Sequence, residues 1–319
     1  MSSDTTNPIE PQSNLQLGAF LGVFTPTVLT ILGVIMYLRV GWVVGEVGLG
    51  KTLLIVLISN LITFFTALSL STLATNMRVG VGGAYFLISR SFGLEVGGAI
   101  GIPLYLSQTL SVTLYAYGMA ESIGFVLPSG IADLPGFVPT LAAVIIVGVA
   151  SVAAKSTELS LKLQRPIMVL IAASLVSFFL GINWTESMEG RSYGDVFNGG
   201  SGEVPFWAVF AIFFPAVTGI LSGVSLSGDL KDPGHAIPIG VLWAVGVGFV
   251  VYLLVPVGLF LGADSDALLN NSMVWLDISA FPLLILPGLW GAILSSAFGS
   301  ILSAPRTLQA LAFDRLAPK

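Results

Sequence analysis

Two stretches decide the fold: PTVLTILGV at residues 26–34 and PAVTGILSGV at residues 215–224. Each sets a proline, then a hydroxyl residue, then a glycine in the middle of a long apolar run, where a lipid-facing helix favours Leu and Val. The second carries one residue more than the first. A proline kink or a small-residue helix contact explains either stretch alone. Together, five crossings apart, they read as two membrane helices interrupted at corresponding places, the arrangement transporters build around a binding site. An odd number of crossings between them runs the two in opposite directions, as an inverted repeat requires. An interrupted helix leaves N–H groups unpaired at one broken end and C=O groups unpaired at the other. The first end attracts anions and the second attracts cations.

The rest of the chain agrees with a bilayer setting. Of 319 residues 55% are hydrophobic and 9% charged, with 37 glycines and no cysteine. Soluble domains are about a quarter charged, so this chain has too little polar surface to coat a core in water. Apolar segments long enough to cross run over 17–45, 50–75, 96–126, 137–155, 166–183, 204–226, 238–263 and 278–304, which makes eight expected crossings. The stretch VGVGGAYFLISRSF (79–92) is short and glycine-rich and is expected at the membrane edge. Residues 1–16, rich in Ser, Thr, Asn and Pro, read as a disordered cytoplasmic tail. Residues 17–183 then form a first five-helix repeat, 184–203 an extracellular loop, 204–304 helices six to eight of a second repeat, and 305–319 a cytoplasmic end. Arg78, Arg90, Lys155, Lys162, Arg165, Lys231, Arg306, Arg315 and Lys319 fall on one side of this layout, against Lys51 and Arg191 on the other. Positive charge collects in cytoplasmic loops, so both termini are expected in the cytoplasm of a multi-pass cell-membrane protein.

Composition also excludes function classes. Without cysteine, and with His235 as the one histidine, no resident metal centre and no cofactor are expected. A net charge of −5 gives no basic stripe for nucleic acid. No nucleophile, base and orienting acid stand together, so an enzyme is not expected. The mid-membrane segments hold almost no Asp or Glu, which a proton relay or a carboxylate-ringed channel would place there. Ions of both signs held by backbone dipoles and hydroxyls fit instead.

Several runs carry a family resemblance. FWAVFAIFFPAVTGILSGVSLSGDLKDPGHAIPIG (206–240), GVIMYLRVGWVVG (33–45), GGAYFLISRSFGLEVGGAIGIPLY (82–105), YAYGMAES (115–122) and AILSSAFGSILSAPRTLQALAFD (292–314) resemble, in order, the cation–chloride cotransporters of the amino acid–polyamine–organocation superfamily. The resemblance implies an all-α integral membrane protein with a LeuT-like inverted-repeat fold, broken first and sixth helices and an incomplete second repeat. It implies a secondary active symporter that moves chloride with potassium, sodium or both. The alternatives are a superfamily permease for an amino acid or amine, or a fragment that does not transport. Implied partners are the three ions, the lipid bilayer and a second copy of the chain, although the last helices, which form the family's dimer, are absent.

Residue by residue, the resemblance implies one chloride site at Gly33, Val34 and Ile35 and another at Gly219, Ile220 and Leu221. It implies a potassium site at Thr30, Ile31, Tyr115, Pro215 and Thr218, and a sodium site at Leu29, Leu32, Ala292, Ser295 and Ser296. The serine pair and Tyr115 together resemble the sodium–potassium–chloride branch. Thr30 and Leu32 depart from it, standing where the family has asparagine and, in sodium-coupled members, tryptophan. The chain stops after the eighth expected crossing of a longer family pattern. Arg39 and Glu121 lie about 9 Å along their helices from Gly33 and Tyr115 and are expected to form an outer gate, because opposed charges at one depth lower each other's cost near hydrocarbon.

Overall fold

The computed structural model describes residues 16–77, 79–80, 82–155, 157–182, 200 and 203–317. Residues 1–15 of the expected tail, most of the 184–203 loop, Arg78, Arg191 and Lys319 lie outside the described residues. The described chain is helical almost throughout, apart from one isolated parallel bridge between Leu17 and Leu230. Among the described residues, seven helical spans are long and apolar enough to cross a membrane: Phe20–Leu38, Val40–Asn76, Phe137–Lys155, Leu159–Gly181, Phe206–Asp229, Pro233–Gly262 and Pro282–Phe313. The remaining expected crossing is the helix Leu94–Gly124, 31 residues long. At 1.5 Å per residue it reaches about 46 Å, more than enough to span. It is less apolar because one face carries Ser107, Gln108 and Ser111, which line an internal cavity.

Each expected element has a local cause. The first span opens with a π turn, Phe20–Phe24, and continues as Thr25–Ile31, with Pro26 at the join between the two. The helix ends at Leu32 (φ −82°, ψ 49°), passes through extended Gly33 and restarts over Val34–Leu38. The first two expected crossings join at Gly48, whose φ of 76° and ψ of 164° kink the long helix Val40–Asn76. Only glycine adopts that conformation without strain. The sixth span runs as Phe206–Phe213, tightens into a 3₁₀ turn over Phe214–Val217, leaves helical form at Thr218 and Gly219, and restarts over Leu221–Val224. Both interruptions expected from the sequence are therefore present, and at the same residues. The 79–92 stretch forms a separate ten-residue helix, Gly83–Phe92.

The broken helices sit at the centre. The second span packs along the seventh, and the eighth packs along both the third and the fifth. Residues on the broken spans are among the most buried, with Val23, Val28, Leu29, Ile31, Phe213, Val217 and Val224 all at 3% exposure or less. The outer helices turn Leu110, Val144, Val147, Val169 and Leu180 outward instead, the apolar coat that a hydrocarbon solvent calls for.

Candidate functional site

The two interruptions meet. A Cβ on Gly219 would stand 2.9 Å from the Thr30 side chain and 3.0 Å from the Ile31 nitrogen. Any side chain here would push the sixth span off the first, so the close approach requires glycine. The restarts match as well. The N–H of Met36 donates to the Gly33 carbonyl at 3.2 Å, and the N–H of Ser222 donates to the Gly219 carbonyl at 3.2 Å. Gly33 and Gly219 thus play the same part in the two helices. The N–H groups of Val34 and Ile35, and of Ile220 and Leu221, open the new helices, where no carbonyl one turn back can receive them.

Around this meeting point lies a cavity in two lobes that share Thr30, Ser107, Ser111, Tyr115 and Thr218. One lobe, about 240 Å³, is lined by Ile31, Gly33, Val34, Ile35, Pro215 and Ala216 in addition. The other, about 100 Å³, is lined by Gln108, Gly219, Leu221, Ser222, Gly299, Ser300 and Ser303. Among the described residues, no charged side chain lines either lobe. The five residues expected at a potassium site all border the larger lobe. The expected chloride residues divide between the lobes, Gly33, Val34 and Ile35 in one and Gly219 and Leu221 in the other, with Ile220 buried beside them.

The hydroxyls are set to act as acceptors. Thr30 donates to the Pro26 carbonyl at 2.7 Å, Thr218 to Pro215 at 2.9 Å, and Ser111 to Ser107 at 2.8 Å. Each proton is spent on the residue's own helix, so the remaining lone pairs are what the cavity meets. A cation finds oxygen ligands there without any carboxylate. An anion finds donors in the N–H groups of the two restarts, beside the Ser222 hydroxyl, which has no partner, and the Gln108 amide.

The residues expected at a sodium site lie at one edge of this cavity. Leu29 and Leu32 are buried at the end of the first half-helix, and Ala292, Ser295 and Ser296 are buried on the eighth span. Ser296 donates to Ala292 at 2.9 Å, while the Ser295 oxygen is buried without a partner. A Cβ on Gly33 would stand 3.4 Å from the Ser296 oxygen, and the Tyr115 hydroxyl reaches the Ser296 side chain. The two expected cation sets are therefore neighbours through Tyr115 and Ser296.

Other polar contacts were not legible in advance. Tyr252, on the seventh span, is fully buried and donates to the Ile31 carbonyl at 2.7 Å. A lone tyrosine in the apolar run GFVVYLLVP was its only signal. Arg306 pairs with Asp229 at 2.7 Å and also donates to the Ser225 carbonyl, which fastens the eighth span to the turn after the sixth. Asp314 receives both Arg90 at 2.8 Å and the Tyr85 hydroxyl at 2.7 Å. Burial and that carboxylate push the Tyr85 phenol up to about 12. Arg39 and Glu121 are both exposed, and no ion pair joins them among the described residues.

Comparison with known proteins comes to the same fold. The family model described as amino acid permease matches residues 22–319. Solute carrier family 12 member 1 of Mus musculus is 33% identical over 95% of this chain, and member 2 of Homo sapiens is 32% identical over 98%. An uncharacterized transporter of Schizosaccharomyces pombe is 32% identical over 97%. The chain spans about a third of the length of these relatives, 32%, 30% and 32% respectively. Among solved structures, MhsT in complex with L-phenylalanine superposes with a TM-score of 0.59 at 15% identity, covering 95% of this chain and 76% of that one.

Proposed function

Because this chain belongs to the amino acid permease family and is a multi-pass membrane transporter, we propose that it is a secondary active symporter moving chloride together with potassium, sodium or both. The observation that carries the reading is the uncharged two-lobed cavity between the breaks, which offers hydroxyl oxygens and broken-helix N–H groups together. Backbone N–H groups at helix starts favour anions, and neutral oxygens favour hard cations. In this reading Gly33, Val34, Ile35, Gly219, Ile220 and Leu221 hold chloride. Thr30, Ile31, Tyr115, Pro215 and Thr218 hold potassium. Leu29, Leu32, Ala292, Ser295 and Ser296 hold sodium. The asparagine and tryptophan replaced by Thr30 and Leu32 leave the carbonyl ligands intact. Both termini face the cytoplasm, so the Arg306–Asp229 end of the cavity is the inner one.

A second reading has its own support. The family description names amino acids, and MhsT is described with one bound. A zwitterion would use the same N–H groups for its carboxylate and the same oxygens for its ammonium. Rubidium-86 uptake into proteoliposomes separates the two readings, with sodium and chloride omitted in turn and amino acids added as competitors. Uptake that requires chloride and ignores amino acids supports ion symport. Uptake of a labelled amino acid that ignores chloride refutes it.

A further inference from the structure

We propose that Gln164, on the fifth span, supplies a further oxygen ligand to the cation pocket at Ser295 and Ser296. This rests on the reading of that pocket as a sodium site. Gln164 is 2% exposed and Ser295 1%, and the Oε1 of the first and the Oγ of the second are both buried without a hydrogen-bond partner. Buried polar oxygens are nearly always satisfied, so two orphans need an explanation.

The packing of the fifth span on the eighth sets them at one level. Ser177 donates to the Phe281 carbonyl at 3.0 Å. Seven residues further, a Cβ on Gly288 would stand 2.6 Å from the Oγ of Ser174, and a Cβ on Gly291 would stand 3.2 Å from Ile167. Each step back along one helix is matched by a step forward along the other, so the two run antiparallel. From the Ile167–Gly291 contact, Gln164 is three residues back and Ser295 four residues on. Spacings of three and four keep a residue on the contacting face, and the rises are about 4.5 and 6 Å in one direction. Both side chains therefore belong to the seam between these helices.

The first half-helix packs against the same two helices. It ends beside this seam, with Ser296 next to Gly33. Carbonyls from its broken end, the serine hydroxyls and the Gln164 amide oxygen thus come from three separate elements. The set is neutral, oxygen-only and sealed from solvent. Such a set fits one small hard cation that has shed its water. Ser296 has its proton on Ala292, which leaves its lone pairs as acceptors too. A water held between Gln164 and Ser295 is the competing occupant.

The test uses thermal unfolding of the purified full chain, with sodium chloride titrated against choline chloride. Gln164→Met keeps the length and removes the amide, whereas Gln164→Glu keeps the oxygen. For Gln164→Met we expect half-saturation by sodium to rise about tenfold, the loss of one oxygen ligand, with melting in choline unchanged or higher by about 2 °C. Gln164→Glu should retain the sodium response. If Gln164→Met responds like wild type while Ser295→Ala and Ser296→Ala lose the response, Gln164 is no ligand and the pocket reading stands without it. A wild-type chain that sodium does not stabilise at all overturns the pocket reading and the proposal together. Unchanged sodium response in Gln164→Met with a lower melting point in every salt assigns the amide to a bound water.

Discussion

The Tyr252 hydroxyl donates a 2.7 Å hydrogen bond to the Ile31 carbonyl, across 221 residues of sequence, at the end of the first broken half-helix. A carbonyl at a helix end has no turn after it to receive an N–H. Here a side chain from the seventh span satisfies one lone pair and leaves the other. Tyr252 thereby fixes the direction of a carbonyl that the proposed potassium site uses. Tyr252→Phe should destabilise the protein by about 1 kcal/mol, the ordinary worth of such a bond. It should also raise the half-saturating rubidium concentration a few-fold while chloride dependence is retained. Equal losses in rubidium and chloride affinity would mean that the bond supports the break as a whole rather than the one carbonyl.

Gly219 packs one break directly on the other, with room for no Cβ against Thr30 and Ile31. Gly219→Val should abolish chloride-dependent cation flux while the protein still inserts and purifies, because the valine separates the two restarts that supply N–H groups. Gly219→Ala should retain a fraction of it. Wild-type uptake by Gly219→Val would remove the anion site from this position.

Tyr115 and Thr218 border both lobes of the cavity. Tyr115→Phe and Thr218→Val each remove one oxygen and little volume, so each should weaken rubidium affinity by about threefold to tenfold, the equivalent of roughly 1 kcal/mol. Sodium dependence should change less for Thr218→Val than for Tyr115→Phe, since only Tyr115 reaches Ser296. Competition between rubidium and sodium in the two variants measures that difference.

The breaks were legible because proline, hydroxyl and glycine at mid-membrane depth have few other uses, and the structure interrupts both helices there. The third crossing was legible by length, and its polar face became intelligible only when the cavity was seen beside it. What faces what across the bundle was not legible. Tyr252 stands alone among apolar neighbours and Gln164 lies between Lys162 and Arg165 at the start of an apolar run, and helical periodicity gives the face of a residue without naming the helix opposite. Arg306 was visible as a charge on the expected cytoplasmic side, and Asp229 only as one residue of the run SGDLKDP. Their pairing depends on how the turn after the sixth span folds back, which local propensity does not encode.

That ion pair carries a prediction of its own. Its side chains are 20% and 12% exposed, so it is screened less than a surface pair and is worth about 1–2 kcal/mol. It holds the eighth span against the turn following the sixth, next to the smaller lobe. Asp229→Asn should loosen that end of the cavity. The chain has no native cysteine, so Ser303→Cys offers a single reporter. Its labelling by a polar thiol reagent should be slow in the parent and several-fold faster with Asp229→Asn added. Equal labelling rates would show that the pair closes nothing.

At the opposite end of the first span, Arg39 sits where the restarted half-helix Val34–Leu38 stops, in a recess shared with Leu268, Leu269 and Asn271. Glu121 is in the last turn of the third helix, and both side chains are exposed. The structure thus holds one pair of opposed charges together, Arg306 with Asp229, and another pair apart. In an alternating-access cycle the two ends of a cavity close in turn, so the separated pair should meet when the joined pair parts. Charge reversal at either Arg39 or Glu121 should therefore impair transport, and the exchange Arg39→Glu with Glu121→Arg should recover part of it. A double-mutant cycle reads the coupling directly, and strictly additive losses would show that the residues never meet. A disulfide supplies the geometric check, since it forms only when two Cα atoms come within about 7 Å. Arg39→Cys with Glu121→Cys should cross-link faster when Asp229→Asn opens the other end, and a rate independent of Asp229 would uncouple the two ends.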